Sequence, residues 1–293
     1  MQHIPAKTII TKTKDNSWFG LDYNMNIYKG CCHGCIYCDS RSDCYHVENF
    51  DTVRAKENVL ELIRDELRRK VKTGVIGTGS MSDPYNPFEK KYCYTRHALE
   101  LIDAYRFGVS IATKSNLITR DIDVLQGISE HSPVLCKVTV TTFDDNLGSK
   151  IEPNVCKTSE RFHAIQKLSD AGIFTGLLLM PILPFINDDK DNILKIIHMA
   201  KSLGAKFIYP YFGVTLRTNQ RDYFYAQLDE QFPGIKDEYM KHFGDRYQCN
   251  SARAKELYHL LESECEKLGM LYRMKDIIAS YKSRYGYEQL TLF

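Results

Sequence analysis

Three cysteines stand close together early in the chain: Cys31, Cys35 and Cys38, within Gly30-Cys31-Cys32-His33-Gly34-Cys35-Ile36-Tyr37-Cys38. Their C-x3-C-x2-C spacing can wrap three thiolates around one face of a cubane iron–sulfur cluster. A [4Fe–4S] cluster usually takes four cysteines, so three leave one iron open to a small molecule. Soft thiolates select iron–sulfur clusters or zinc over hard cations. A zinc site would need Cys32 or Cys44 as its fourth ligand, and the paired half-motif common in such sites has no counterpart here. Cys32 could stand in for Cys31, but C-x2-C-x2-C would lose the x3 gap.

This spacing, with the aromatic Tyr37 before the last cysteine, resembles the signature of radical S-adenosylmethionine (radical SAM) enzymes. The resemblance implies that the open iron chelates the amino and carboxylate groups of SAM. It also implies that the reduced cluster cleaves SAM to methionine and a 5′-deoxyadenosyl radical.

The chain has 293 residues, enough for one large barrel and an extension. Its hydrophobic content of 43% supports a buried core. Residues 1–16 are polar and carry Lys7, Lys12 and Lys14, with no apolar stretch of signal-peptide length. The ten cysteines are therefore expected to be reduced thiols or cluster ligands in a cytoplasmic protein. No apolar run nears the ~20 residues that span a bilayer. A net charge of +2 neither demands nor excludes nucleic acid.

Apolar periodicity predicts strands at 21–28, 74–79, 108–113, 133–142, 173–180 and 206–211. Helices are predicted between them at 58–70, 95–105, 121–130, 159–171 and 188–203. Such alternation means a parallel sheet with right-handed crossovers. Six units are too few for a full eight-stranded barrel. The resemblance implies an α/β fold, a partial open (β/α)6 TIM-type barrel. The expected division is a core at 1–213 and a mainly helical extension at 214–293, with helices near 221–231, 251–268 and 276–283.

In parallel α/β folds the site forms at the carboxyl ends of the strands. The cysteine loop lies there, after the first strand. After the second comes Gly77-Thr78-Gly79-Ser80-Met81-Ser82-Asp83-Pro84-Tyr85, whose glycines admit close backbone approach and whose Ser82 and Asp83 can bond a polar ligand. Lys114 follows the third strand and could pair with a carboxylate. Thr139 and Thr141 share one face of the fourth by period two. Glu152 and Arg161 come next, and Tyr211 after the sixth strand could stack on a base or on adenine.

Over about residues 18–212 these features resemble the spore photoproduct lyase-like ("DNA repair photolyase") branch of the superfamily. The resemblance rests on the stretch from Tyr28 to Cys38, the Ser82-Asp83-Pro84-Tyr85 loop, Thr113-Lys114-Ser115, and Glu152-Pro153 with Arg161. It implies that Ser82, Lys114 and Thr139 contact SAM and that Tyr37 supports the cluster. Ser80 stands where that branch has a hydrogen-donating cysteine, and a serine O–H bond is too strong for that role. Either Cys93, Tyr85 or a tyrosine near the sixth strand returns the hydrogen atom, or the substrate differs. The resemblance further implies a lyase acting on a nucleic-acid base, with damaged DNA favoured, and an electron donor such as flavodoxin or ferredoxin. The alternatives are modification of RNA, a peptide or a small metabolite, and a non-enzymatic zinc or iron–sulfur adaptor for nucleic acid.

The final residues Gln289, Leu290, Thr291, Leu292 and Phe293 resemble the pentapeptide by which bacterial repair proteins dock on the DNA sliding clamp. Just before them, Arg273, Lys275, Lys282 and Arg284 interleave with Tyr272, Tyr281, Tyr285 and Tyr287, a pattern that can bind phosphate and stack bases.

Overall fold

The computed structural model describes residues 1–285. Its strands are β1 (Gln2–Ile4), β2 (Ile10–Lys12), β3 (Tyr23–Met25), β4 (Tyr28–Lys29), β5 (Arg54–Lys56), β6 (Val75–Thr78), β7 (Gly108–Thr113), β8 (Val134–Thr139), β9 (Thr175–Leu179), β10 (Phe207–Pro210), β11 (Gly213–Thr215) and β12 (Gln248–Asn250). The α-helices are α1 (Val59–Arg69), α2 (Glu89–Tyr92), α3 (Tyr94–Ala104), α4 (Ile122–His131), α5 (Asp145–Ile151), α6 (Thr158–Asp170), α7 (Lys190–Ser202), α8 (Gln220–Gln231), α9 (Ile235–Phe243), α10 (Ala254–Leu268) and α11 (Met274–Lys282).

The main sheet runs β10-β9-β8-β7-β6-β3-β2. Its six barrel strands are parallel, and β2 adds an antiparallel edge to β3. Strands β6, β8 and β9 are buried throughout, as expected for a sheet covered by helices on one face and enclosing its own interior on the other. Each crossover helix buries one stripe; in α1 it is Val59, Ile63 and Leu67. The partial (β/α)6 barrel expected from the sequence is the observed fold.

The expected first strand, 21–28, is divided. Residues of β3 stay in the barrel, while β4 leaves it to pair with β5 in a small sheet ordered β1-β5-β4. Gly30 then turns the chain into the cysteine loop at φ +81°; a Cβ there would stand 2.4 Å from the Thr52 carbonyl oxygen. Only glycine fits that turn.

Phe19, Leu21, Val75, Leu135, Phe207, Ile277 and Tyr281 pack together in one apolar cluster. Lys137 of β8 lies against it, 2% exposed, donating to Ser110 Oγ with Nζ 4.6 Å from the Phe19 ring centroid. Burial pushes its pKa down to about 7. An unfolded lysine keeps its proton to about pH 10, so the cost of burying it is constant below pH 7 and shrinks as pH rises from 7 to 10. Lys137→Met is therefore expected to stabilise the protein by about 3 kcal/mol at pH 7, the pKa depression less one hydrogen bond. Urea unfolding should show that gain fading by pH 9–10; a gain independent of pH would contradict the buried-cation reading.

The expected boundary at 213/214 falls inside β11, which pairs antiparallel with β12. Val214, Leu216, Phe224, Leu228, Tyr239 and Cys249 share a buried cluster with Cys35, Ile36 and Tyr37. The helical extension thus packs directly on the cysteine loop. Among the described residues no helix is long and apolar enough to cross a membrane. The clamp-like Gln289, Leu290, Leu292 and Phe293 lie outside the described residues.

Candidate active site

The cysteine loop is held by backbone pairings from two sides. The Cys31 amide donates to Phe50 O at 2.8 Å and the Ile36 amide to Ile151 O at 3.0 Å. Asn154 donates from its amide to His33 O (3.1 Å) and from Nδ2 to Cys32 O (3.0 Å). Gln220, fully buried at the start of α8, donates from Nε2 to Tyr37 O at 3.2 Å. Gly34, at φ +68°, lets the loop pass close to Pro153 and Asn154.

This loop forms one wall of a cavity of about 320 Å³ at the carboxyl ends of the strands. Cys31, Cys35 and Cys38 all line it, with Ser80, Ser82, Asp83, Lys114, Thr139 and Tyr211. Cys32 does not, nor does the exposed Cys44. Of the alternative ligands weighed from sequence, the geometry therefore brings Cys31 to the site. Three soft thiols on one cavity wall suit an iron–sulfur cluster, where each thiolate meets a different iron. The donor set fits the group.

The thiols differ electrostatically. Burial pushes Cys31 up, but the adjoining His33 outweighs it and holds the thiol below its ordinary value. Burial dominates at Cys35 and Cys38, whose pKa values lie above the ordinary thiol range, opposed by Lys114 at both. Lys114 is the site's principal cation. Burial works against its charge, but Cys35, Glu152, Cys38 and Asp83 outweigh burial and raise its pKa. Its Nζ stands 5.7 Å from the Tyr37 ring centroid.

Asp83 lines the cavity, yet its carboxylate already serves the protein. Oδ1 accepts from Thr113 Oγ1 (2.7 Å) and the Tyr85 amide (2.9 Å), and Oδ2 from the Lys114 amide (2.7 Å). His33 Nδ1 lies 3.6 Å from Oδ2. Asp83 thus ties the loops after β6 and β7 together, beside the cysteine loop. Glu152 and Arg161 are absent from the cavity wall. They form a buried ion pair at 2.6 Å, with Tyr37 Oη donating to Glu152 and Arg161 Nη1 to Thr139 O at 3.1 Å. They brace two lining residues and would not touch a ligand there.

Three further expected positions fall outside the cavity. The turn that Asp83 closes at the Tyr85 amide directs Tyr85 into the buried core beyond the strands, 5.9 Å from the Arg120 guanidinium. Cys93 sits at the α2–α3 junction at φ 51°, its thiol 3.5 Å from Arg120 Nη1 and 3.6 Å from Glu89 O. Neither is placed to return a hydrogen atom to a molecule in the cavity. Thr141 lies beyond the end of β8, so the period of two no longer places it beside Thr139; it is buried, with its carbonyl capped by Asn187 Nδ2 (2.7 Å). The sequence reading missed Gln220, Asn154 and the rim residue Asp39, which Arg217 Nε meets at 3.0 Å. These links join residues far apart in the chain, and no local pattern marks them.

A family model for the radical SAM superfamily matches residues 25–206. An uncharacterized protein of Mycobacterium tuberculosis is 26% identical over 241 residues, covering 80% of this chain and 71% of its own length. One of Methanocaldococcus jannaschii is 35% identical over 188 residues, covering 63% of this chain and 68% of its own. A solved spore photoproduct lyase complexed with dinucleoside spore photoproduct matches with a TM-score of 0.65 over 91% of this chain and 79% of that one; at 13% identity the likeness is one of fold. With a family model spanning more than half its length and three thiols lining a cavity at the strand ends, the chain belongs to the radical SAM superfamily, whose cofactors are a [4Fe–4S] cluster and S-adenosylmethionine.

Proposed function

We propose that this radical SAM enzyme takes a hydrogen atom from a nucleic-acid base, with damaged DNA as the favoured substrate and a lyase reaction as the outcome. The observation that carries the reading is the shared cavity: three thiols on one wall, Lys114 and hydroxyl-bearing side chains including Ser80, Ser82 and Thr139 around it, and the Tyr211 ring. When bound, the cluster and SAM supply a 5′-deoxyadenosyl radical. Cys31, Cys35 and Cys38 would hold the cluster. Lys114, kept protonated by its neighbours, would pair with the SAM carboxylate, and Ser80, Ser82 and Thr139 would bond its polar groups. Tyr37, locked by Glu152, gives the loop a fixed shape.

Tyr211 offers a ring on which a base can stack. It is also the tyrosine near the last barrel strand that lines the cavity, as Tyr85 and Cys93 do not. It is therefore our candidate to return hydrogen to a substrate radical in place of the cysteine that Ser80 replaces. The tyrosyl radical so formed would be restored by one electron from the flavodoxin- or ferredoxin-type donor and one proton. Gln289, Leu290, Leu292 and Phe293 would dock the enzyme on a sliding clamp.

The test is anaerobic. Reconstituted, reduced protein is given SAM alone, with intact DNA, or with ultraviolet-irradiated DNA, and 5′-deoxyadenosine is quantified. Irradiated DNA is expected to raise product and to donate its deuterium to it when labelled. Equal product in all three, with no label transferred, would overturn the DNA-base reading while leaving the cofactor chemistry intact.

A further inference from the structure

Cys38 is followed by a single 3-10 turn, Asp39–Arg41, whose last amide donates to Cys38 O at 3.2 Å. The turn carries Arg41 out of the cavity and into a groove beside Phe50, Asn219 and Tyr223. Its guanidinium carbon lies 3.7 Å from the Tyr223 ring centroid and 5.0 Å from that of Phe50. Nη1 and Nη2 donate to the Asp51 carboxylate at 2.8 and 2.5 Å, while Nε is buried with no hydrogen-bond partner. The two members of this pair differ in solvation: the Arg41 side chain is 11% exposed and that of Asp51 61%. Water screens the carboxylate far more than the guanidinium.

An arginine so held cannot lose its proton, and its planar head is pinned by stacking. The remainder is a fixed, partly desolvated positive charge three residues from Cys38, on the turn whose last amide bonds the Cys38 carbonyl. Lys114 and His33 line the cavity with the thiols. Asp39 adjoins Cys38 too, but Arg217 compensates its charge. The potential of an iron–sulfur cluster depends on nearby charge, hydrogen bonds to sulfur and solvent exposure. Reduction adds one negative charge, and a fixed cation stabilises that state more than the oxidised one.

We propose that Arg41 is a positioning residue for the cluster's charge balance, raising its reduction potential and easing the one-electron reduction that must precede SAM cleavage. This rests on the cluster assignment and not on the identity of the substrate. It also gives the aromatic pair a purpose: Phe50 comes from the segment after the cysteine loop and Tyr223 from α8, so the extension and the barrel grip the same charge.

The test is an EPR-monitored redox titration of reconstituted protein without SAM, with iron content measured alongside. Arg41→Met is expected to lower the ratio of reduced to oxidised cluster at a fixed potential about tenfold, a negative shift of about 59 mV for one electron. Arg41→Lys keeps the charge without the bidentate grip and should stay near wild type. Asp51→Asn breaks the same ion pair but unmasks the guanidinium, so it should shift the potential the opposite way. A merely structural pair would show the same loss of loading in Arg41→Met and Asp51→Asn, with an unmoved potential in the clusters that remain. That result, or shifts of the same sign in both, overturns the proposal. If Arg41→Met fails to load, Asp51→Asn decides alone: a positive shift supports the proposal, and none, or a negative one, overturns it.

Discussion

Alanine at any one of Cys31, Cys35 or Cys38 is expected to abolish SAM cleavage while the barrel stays folded. The three thiols are the cavity wall's soft donors, and losing one removes an iron's protein ligand outright. Second-layer changes at metal sites typically cost about 10–100-fold; loss of a direct ligand should exceed the upper end, so 5′-deoxyadenosine should fall at least about 100-fold. The fold has no reason to fail, because the loop's backbone is held by Phe50, Ile151, Asn154 and Gln220 through main-chain groups that alanine leaves in place. Cys32→Ala and Cys44→Ala serve as controls, since neither side chain lines the cavity. Full cleavage in any of the three ligand variants, or equal loss in the controls, would break the assignment. Far-ultraviolet circular dichroism separates lost chemistry from lost fold.

Arg161→Leu is expected to destabilise the protein by about 3–5 kcal/mol at pH 7, the usual cost of removing one partner from a buried ion pair. Arg161 and Glu152 have side-chain exposures of 2% and 0%, and Lys114 contributes a second cation to the group. In the wild type, burial pushes the Glu152 carboxyl up, but Arg161 and then Lys114 more than reverse it, so its pKa lies below the ordinary glutamate value. A depressed folded-state pKa supplies stability that is fully present above the unfolded value near 4.3 and is lost as pH falls through the folded value. The wild type should therefore hold this stability from neutrality down to about pH 5. In Arg161→Leu the main compensating charge is gone and burial dominates. The Glu152 pKa then rises above its unfolded value, and stability increases as the pH is lowered from 7 towards 5. Denaturant unfolding at both pH values reads the reversal. A variant that weakens in parallel with the wild type on acidification would show that the pair is not the brace behind Tyr37.

The barrel was legible because its strands are apolar, buried and regularly spaced between amphipathic helices. The span 108–113 matches β7 in full, and the crossover helices fall within two residues of the expected limits. Short elements outside the βα alternation escaped: β1, β2, β5, the β11–β12 pair and α2 carry no periodicity to detect. The first strand misled because alternation continues through 21–28 although β4 changes sheets. Of the residues that line the cavity, Ser82 and Lys114 were legible from their place after strands, Thr139 from the strand period, and Ser80 only through the family resemblance. Proximity in sequence failed at Tyr85 and Cys93, because the Asp83 turn reverses direction within two residues. Glu152 and Arg161 were noticed, but their place behind the cavity depends on a helix crossing that sequence does not display. Gln220 lay hidden in a segment read as extension, although it bonds the peptide before Cys38.

The most direct measurement is the EPR spectrum of the reconstituted, dithionite-reduced wild-type protein with and without SAM. A [4Fe–4S] signal that shifts on adding SAM is the expected result, since three cysteines leave one iron for the cofactor to occupy. A reduced cluster whose spectrum ignores saturating SAM, or a colourless protein that takes up zinc and no iron, would contradict the assignment of Cys31, Cys35 and Cys38.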